Sequence, residues 1–484
     1  MQTEKNEMAL NAGQTEALAA LAAFIASTKT TFSLQGGAGV GKTFLVAEFV
    51  KSILGSKRVV IAAPTHKACR VLRAKLSAAG IPWVFKPAQD KLPGLNVAIV
   101  DTTAALLGVR PVIAEEQDDK EIVFKASDSS GSLPKYFDRS SVLVVDEVSM
   151  VGADDLVALK VQAQARDSKI VAVGDEGQLP PVKKLAIDFS KDFDGSYTLR
   201  EVVRQAADSA IISLAWAIRN DEPDFENVSG KGLVRSDDVV GAFLAQVALP
   251  VDDEGQRSVF VAYRNATVDA VQEKACRKLY GHSSKSFQAG ELVLATRPAY
   301  TEVYGTYTDR NGRERPSKFP KVEQICANAD QLRVLDFDDS RRHPLFGVPV
   351  TLDRVDLPAD ADGKVFESFY LSAAELADPK HAFNVEKARL SDVAKVLQAE
   401  VKALRAAGNH DKAAEKDGPR KSAWAAFFAH EQKIISFAHP FAITSHKSQG
   451  STYREVFVAT AELLRFNKKA LYVAVTRPSA TLHW

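Results

Sequence analysis

Residues 36–43 read GGAGVGKT, which meets the spacing G-x-x-x-x-G-K-[ST] in full. A loop of this kind turns successive backbone N–H groups toward one point, and phosphate oxygens suit that point. Gly36, Gly39 and Gly41 let the backbone curl, and with Gly37, Ala38, Val40 and Phe44 they form the expected cradle for ATP. The Lys42 ammonium can reach the β- and γ-phosphates, and the Thr43 hydroxyl can ligate Mg²⁺. Further along, VLVVDEVSM sets two carboxylates after an apolar run. Asp146 is expected to hold Mg²⁺ through water, and Glu147 to act as general base toward a hydrolytic water. GDEGQLPPV follows another apolar run, and there Gln178 is placed to report on the γ-phosphate. The chemistry these residue types allow is ATP hydrolysis.

Such groups work only if folded elements bring them together. TTFSLQGGAGVGKTFLVAEFVKSIL reads as strand, glycine-rich turn and helix. RVVIAAP, NVAIVD, SVLVVDEVSM and KIVAVGDEGQ are short apolar runs ending in small or polar residues, with helical patterns such as HKACRVLRAKLSAAG between them. Alternation of this kind predicts an α/β fold with a parallel sheet and its active loops at the strand C-termini. Residues 109–126 break the rhythm with two β-prone runs around EEQDDKE, which reads as an inserted β-hairpin. A second α/β pattern begins near YTLREVVRQ, is interrupted from about 283 to 435, and resumes at FAITSHKSQG. The interruption holds β-prone runs suggesting a small barrel, then a helical stretch. There Leu390, Val393, Leu397, Val401 and Leu404 mark one packing face and Gly408 a stop. AGNHDKAAEKDGPRKS is the one segment whose composition reads as unstructured.

A chain of 484 residues is too long for one core, so two to four domains are expected. A net charge of +1 means that affinity for nucleic acid must come from a local basic track. Cys69, Cys276 and Cys326 have no Cys-x-x-Cys spacing, which argues against a zinc site or disulfide framework and fits a reducing cytoplasm. MQTEKNEMAL lacks the apolar core of a signal peptide, and no apolar run approaches membrane-spanning length, so a cytoplasmic protein without membrane association is expected.

In order, GQTEAL, GGAGVGKT, APTHKA, VVDEVSM, GDEGQLPPV, LREVVRQ, ITSHKSQGST and LYVAVTR resemble the ordered motifs of the superfamily 1 helicases. The SHKSQG and YVAVTR pair is similar to the 5′-to-3′ branch, superfamily 1B, which includes RecD-like enzymes and the Dda-like enzymes of T-even bacteriophages. The resemblance spans nearly the whole chain. It implies two RecA-like P-loop domains, with a β-hairpin (pin) inserted in the first and an SH3-like β-barrel plus helical tower in the second. The implied limits are 1–195 for the first domain with the hairpin at 105–138, 196–282 and 436–484 for the second, and 283–435 for the barrel and helices. The implied activity is ATP-dependent 5′-to-3′ translocation on single-stranded DNA with duplex unwinding, in DNA replication, recombination or repair. A superfamily 1 RNA helicase, a nucleotide-switched DNA-binding accessory subunit and a RecD-type subunit of a nuclease complex are the alternatives. Implied partners are single-stranded DNA, single-strand/duplex junctions, and a single-stranded-DNA-binding protein or other replication proteins. A monomer is expected, in the host bacterial cytoplasm if the source is a phage.

The same resemblance implies roles residue by residue. Gln14 corresponds to a glutamine that reads the adenine edge, Gly450 to a nucleotide-site glycine, and Arg204 and Arg477 to arginines that reach the γ-phosphate from the second domain. Pro64, Thr65, His66 and Lys67, then Thr102 and Thr103, then Ser445, His446 and Lys447, correspond to strand-contacting motifs. Phe124 stands where the hairpin would present an aromatic ring to the duplex junction. Two positions depart from the pattern: Ala104 replaces a histidine, and Pro478 follows Arg477 where a small residue is usual.

Overall fold

Runs of four or five consecutive apolar residues demand burial on both faces, and in this computed structural model they receive it. Residues 10–85, 92–108, 110–113, 122–125, 140–182, 184–203, 209–297, 299–303, 306–308, 314–316, 321–355 and 364–484 are described. The chain divides into two compact units, Met1–Val247 with Glu254–Val268 and Ala442–Trp484, and Ala248–Asp253 with Asp269–Phe441.

The first unit begins α1 (Ala12–Ala26), β1 (Thr31–Gly36), α2 (Lys42–Ile53), β2 (Val59–Ala63), α3 (His66–Ala78), β3 (Trp83–Phe85), β4 (Ala98–Thr102) and α4 (Thr103–Leu106). There follow β5 (Arg110–Ile113), β6 (Ile122–Lys125), β7 (Val142–Val145), α5 (Ala153–Ala165), β8 (Lys169–Gly174) and β9 (Gly195–Leu199). Seven of these strands form one parallel sheet in the order β3-β4-β2-β7-β8-β1-β9. Strand periodicity explains its two cores. Val59, Ile61 and Ala63 of β2 face one cluster with Leu34 and Phe49, while Val60 and Ala62 face another with Leu143 and Leu156. Because β9 pairs with β1, the first sheet runs to Leu199, past the boundary of 195 expected from the sequence. Strands β5 and β6 pair antiparallel with Pro111 opposite Phe124, as a two-stranded sheet separate from the seven-stranded one.

A second, five-stranded parallel sheet in the same unit has the order Leu233–Val234, Pro478–His483, Tyr453–Val458, Ser258–Ala262 and Ala442–Thr444. Pro478 opens its strand, where a missing N–H disrupts the ladder least.

The other unit holds a six-stranded sheet whose two end strands, Ile434–Ile435 and Phe437–Ala438, are separated by Ser436 alone. Two strands one residue apart can sit at opposite ends of a sheet only if the sheet curls and closes. Phe287, Leu332, Val350 and Phe437 lie in the core it encloses. Helices Ala382–Ala406 and His410–Gln432 form a hairpin around Gly408 (φ 73°). The segment that composition marked as unstructured forms the turn at 407–409 and, from His410 on, part of the second helix. Its charges are tied locally by Lys421–Asp417 (2.8 Å) and to the facing helix by Lys416–Glu400 (3.0 Å), and beyond it Trp424 donates to Gln398 (2.9 Å). The packing face also shifts: Ala394 is buried and Val393 is 45% exposed. Leu390, Ala394, Leu397, Val401 and Leu404 recur at four-three spacing, the seam of an antiparallel pair of helices.

Candidate nucleotide site and nucleic-acid track

Every candidate loop of the first sheet leaves the carboxyl end of a parallel strand, where an open α/β sheet collects ligands. The phosphate loop joins β1 to α2. Gly41 caps α2 with φ 77° and no side-chain hydrogen bond, so the helix leaves its first N–H groups to a ligand. A Cβ at Gly41 would lie 2.5 Å from Gln14 Nε2, and one at Gly37 2.8 Å from the Trp216 ring. The positive φ favours glycine at Gly41, and at Gly37 the indole would have to shift to admit a side chain. Lys42 Nζ donates to the Gly36 and Gly37 carbonyls at 2.6 and 2.9 Å, folding the side chain back over its own loop. Burial pulls the Lys42 ammonium below its usual range, and Asp175, Glu147 and Asp146 act against that pull.

Asp146 and Glu147 follow β7, which β8 separates from β1 in sheet order. Glu147 takes a left-handed backbone (φ 50°), which costs a non-glycine residue about 1–3 kcal/mol, and its N–H bonds Asp146 Oδ1 at 3.0 Å. Burial first, then the neighbouring Asp146, raises the Glu147 carboxyl above the usual range, against the cations of Arg477, Lys42 and Lys75. A carboxyl tuned upward suits a general base.

The second sheet supplies the rest. Arg477 is buried at the end of helix Lys468–Val475. Its guanidinium bonds the Val473 carbonyl (2.9 Å), the Ser451 carbonyl (3.2 Å) and Thr476 Oγ1 (2.7 Å), and its charge acts on Glu147. Burial lowers its pKa from the ordinary value. Gln449 Nε2 donates to Gln178 Oε1 (3.4 Å) and the Leu179 carbonyl (3.3 Å), so the glutamine of SHKSQG meets the glutamine of GDEGQ. Arg204 lies outside the described residues. Gly450 (φ 74°) follows Gln449, and Phe44 is half-buried on α2.

Gln14 is placed against the phosphate loop, with its amide engaged. Oε1 accepts from Asn11 N–H (3.1 Å) and Nε2 donates to the Val40 carbonyl (3.3 Å) in a capping box at the start of α1. Reading an adenine edge would require exchange of the Val40 bond.

Motif reading overlooked Asp175, Trp216, Arg219 and Tyr472. Asp175 is 1% exposed and accepts from Gly177 N–H (2.9 Å), Arg219 Nε (3.1 Å) and the Tyr472 hydroxyl (2.5 Å). Asp175 follows a strand, as Asp146 does, and that was the available signal. Tyr472 stands in LYVAVTR, five residues before Arg477, while Trp216 and Arg219 lie outside every motif.

Mg²⁺ prefers hard oxygen ligands, and Thr43 and Asp146 offer a hydroxyl and a carboxylate. Lys75 Nζ donates to Thr43 Oγ1 at 3.2 Å, so a cationic group already stands at that hydroxyl. No cluster of three or more His, Cys, Asp or Glu suited to a metal occurs among the described residues.

The nucleic-acid set separates into exposed and buried members. Thr65 is exposed, capping α3 by accepting from Ala68 N–H (3.1 Å), with Pro64 and His66 half-buried beside it. Lys447 is exposed and His446 half-buried, the latter 5.9 Å from the Tyr263 ring. Tyr263 in turn stacks on Phe466 (5.2 Å, 6°), which is 45% exposed. Four expected contacts are used otherwise. Thr102 and Thr103 are buried, Thr102 capping α4. Ser445 is 0% exposed and donates its hydroxyl to the Ala470 carbonyl (2.7 Å). The Lys67 ammonium is buried against Glu254 Oε1 at 2.6 Å, close to Tyr453. Ala104, in place of a histidine, is exposed on α4, while nothing is described of the Phe124 side chain.

Burial alone would lower the Lys67 pKa, yet Tyr453 and Glu254 hold it above the ordinary value, while Lys67 holds the buried Glu254 carboxyl down. The depressed carboxyl contributes stability above about pH 4 that is lost as acid protonates it, and the raised ammonium contributes stability that is lost above about pH 10. Lys67→Ala should leave Glu254 buried without its ammonium and cost about 3–5 kcal/mol, read as a fall in denaturant midpoint at pH 7. An unchanged midpoint would show that the pair is not structural.

Comparison with known proteins bears on both sheets. Residues 9–238 match a family model described as an AAA domain, and residues 439–483 match a UvrD-like helicase C-terminal domain. The chain is 24% identical over 496 residues to the ATP-dependent DNA helicase dda of Enterobacteria phage T4, covering 97% of each. It is 31% identical over 153 residues to the ATP-dependent DNA helicase Pif1 of Campylobacter jejuni, covering 31% of this chain and 29% of that one. Among solved structures, Pif1 helicase from Bacteroides in complex with ADP-AlF3 and ssDNA aligns over 99% of this chain and 92% of its own, with 14% identity and a TM-score of 0.47.

Proposed function

The chain belongs to the superfamily 1B helicases, and from that premise we propose that it uses ATP to move 5′ to 3′ along single-stranded DNA and separate the duplex ahead. One observation carries the reading. The groups that would act on the γ-phosphate come from two sheets, with Lys42, Glu147 and Gln178 on the first and Arg477 and Gln449 on the second. Hydrolysis therefore depends on how the sheets meet, and a change of nucleotide can change their grip on a strand.

In the cycle, Lys42 leaves the Gly36 and Gly37 carbonyls for phosphate oxygens. Glu147 takes a proton from the attacking water, and Arg477 offsets the charge that develops on the phosphoryl group. Mg²⁺, held by Thr43 and Asp146, would supply a counter-charge to the phosphates. Exposed Thr65 and Lys447, with half-buried Pro64, His66 and His446, are the candidates for backbone contact, which positions a strand without reading its sequence. Phe124 on the hairpin is the candidate wedge. The expected compartment is the host bacterial cytoplasm, where the chain would act as a monomer beside a single-stranded-DNA-binding protein.

A strand-displacement assay with 5′- and 3′-tailed duplexes tests the reading. Release from the 5′-tailed substrate is expected, with none from the 3′-tailed one, and unwinding from 3′ tails only would overturn the polarity. In the same assay Phe124→Ala should slow unwinding while sparing ATPase activity on single strands, where there is no junction to stack against. Stimulation of ATPase by poly(dT) and not poly(U) separates DNA from RNA as the track.

A further inference from the structure

The Ala38 peptide, inside the phosphate loop, is held on both sides by the second sheet's helices. Its N–H donates to the Tyr472 hydroxyl at 3.0 Å, and its carbonyl accepts from Trp216 Nε1 at 3.1 Å. Tyr472 donates its own proton to Asp175 Oδ2 at 2.5 Å. A carboxylate can only accept, so the phenol must spend its proton there, and its lone pairs are then free for Ala38. Burial, then the charge of Asp175, pushes the phenol far above its ordinary pKa, which keeps that proton in place. With Lys42 folded onto Gly36 and Gly37, the loop satisfies itself with protein groups where phosphate oxygens would bind.

A route to the nucleic-acid track exists in the same helix. Tyr472 lies on Lys468–Val475, and the carbonyl of Ala470 in that helix accepts the buried Ser445 hydroxyl at 2.7 Å. Ser445 begins the short helix carrying His446 and Lys447. A pull on those two residues is passed to the helix that bears Tyr472.

We propose that Tyr472 is a latch on the phosphate loop, occupying the Ala38 N–H until strand binding at His446–Lys447 draws its helix away and frees that amide for nucleotide. The latch rests on the helicase reading above. It acts through the loop and touches no reacting atom, so Tyr472 is a positioning residue.

Tyr472→Phe keeps the ring and removes both hydrogen bonds. Titration with fluorescent ADP, without DNA, should show binding roughly two- to tenfold tighter, the net worth of one competing hydrogen bond. ATPase activity without DNA should rise, and its stimulation by oligo-dT should fall by a similar factor. Trp216→Phe is the control. It removes a donor from the Ala38 carbonyl, which does not compete with phosphate, and so should not tighten nucleotide binding. In the parent protein, saturating oligo-dT should tighten ADP binding by a comparable factor, a measurement independent of any variant's folding. Unchanged or weaker binding in Tyr472→Phe, equal tightening in Trp216→Phe, or no effect of oligo-dT on the parent's ADP affinity would each overturn the latch. If the parent's ATPase ignores oligo-dT while Tyr472→Phe still tightens ADP, the helicase reading fails and the competition at Ala38 stands.

Discussion

Arg477→Ala should lower kcat for ATP by roughly 10³–10⁵-fold in the presence of saturating oligo-dT, with a much smaller effect on nucleotide affinity. The loss is expected to be large because the guanidinium comes from the second sheet and its charge acts on Glu147, the proposed general base. Arg477→Lys keeps the charge but loses the fork that bonds Val473, Ser451 and Thr476 at once, so it should recover only a small part of the rate. Steady-state ATPase assays check both variants. Melting curves separate the chemistry from the packing, because the alanine variant also abandons three backbone and hydroxyl partners. A kcat within tenfold of the parent would remove Arg477 from the transition state.

Glu147→Gln should cost about 10²–10⁴-fold in turnover while single-strand binding persists, since Glu147 is the proposed general base and is not among the proposed strand contacts. The pH profile gives an independent reading. Because burial and Asp146 raise the Glu147 carboxyl, the rate should climb with pH through a limb set above the ordinary carboxylate range. That limb should vanish in the glutamine variant. Retention of the limb would assign it to another group.

The parts of the site legible in the sequence are those whose chemistry is local. A phosphate loop is eight consecutive residues, and Asp146 and Glu147 adjoin the strand that presents them, so spacing alone locates both. Asp175, Tyr472 and Trp216 escaped because their meaning lies in one another: a phenol and an indole that bond Ala38, and a buried carboxylate that accepts from the phenol, from three stretches of chain. The track was read too generously for a related reason. Lys67 and Ser445 have the residue types that suit phosphate, yet each is buried on a partner that the sequence does not adjoin, Glu254 and the Ala470 carbonyl. In the helical hairpin, Val393 outranked Ala394 by hydrophobicity, but where two helices pack closely the smaller side chain takes the seam. Gly418 and Pro419 weigh against a helix locally, and packing on the facing helix overrides them.

Phe260 and Ala442 are hydrogen-bonded neighbours in the second sheet, although the whole barrel and helical hairpin lies between them in the chain. This orders events on the ribosome. The first sheet is complete once Leu199 has emerged, and its strands can pair while the rest is still being made. The second sheet must wait. Ser258–Ala262 has apolar residues on both faces and no partner strand until 442–458 arrives, after a long stretch of intervening synthesis. Non-local pairing of this kind is slow, and an unpaired, apolar strand edge is the feature that nascent-chain chaperones bind. The stage of synthesis most exposed to aggregation thus falls between the emergence of Ala262 and that of Val458.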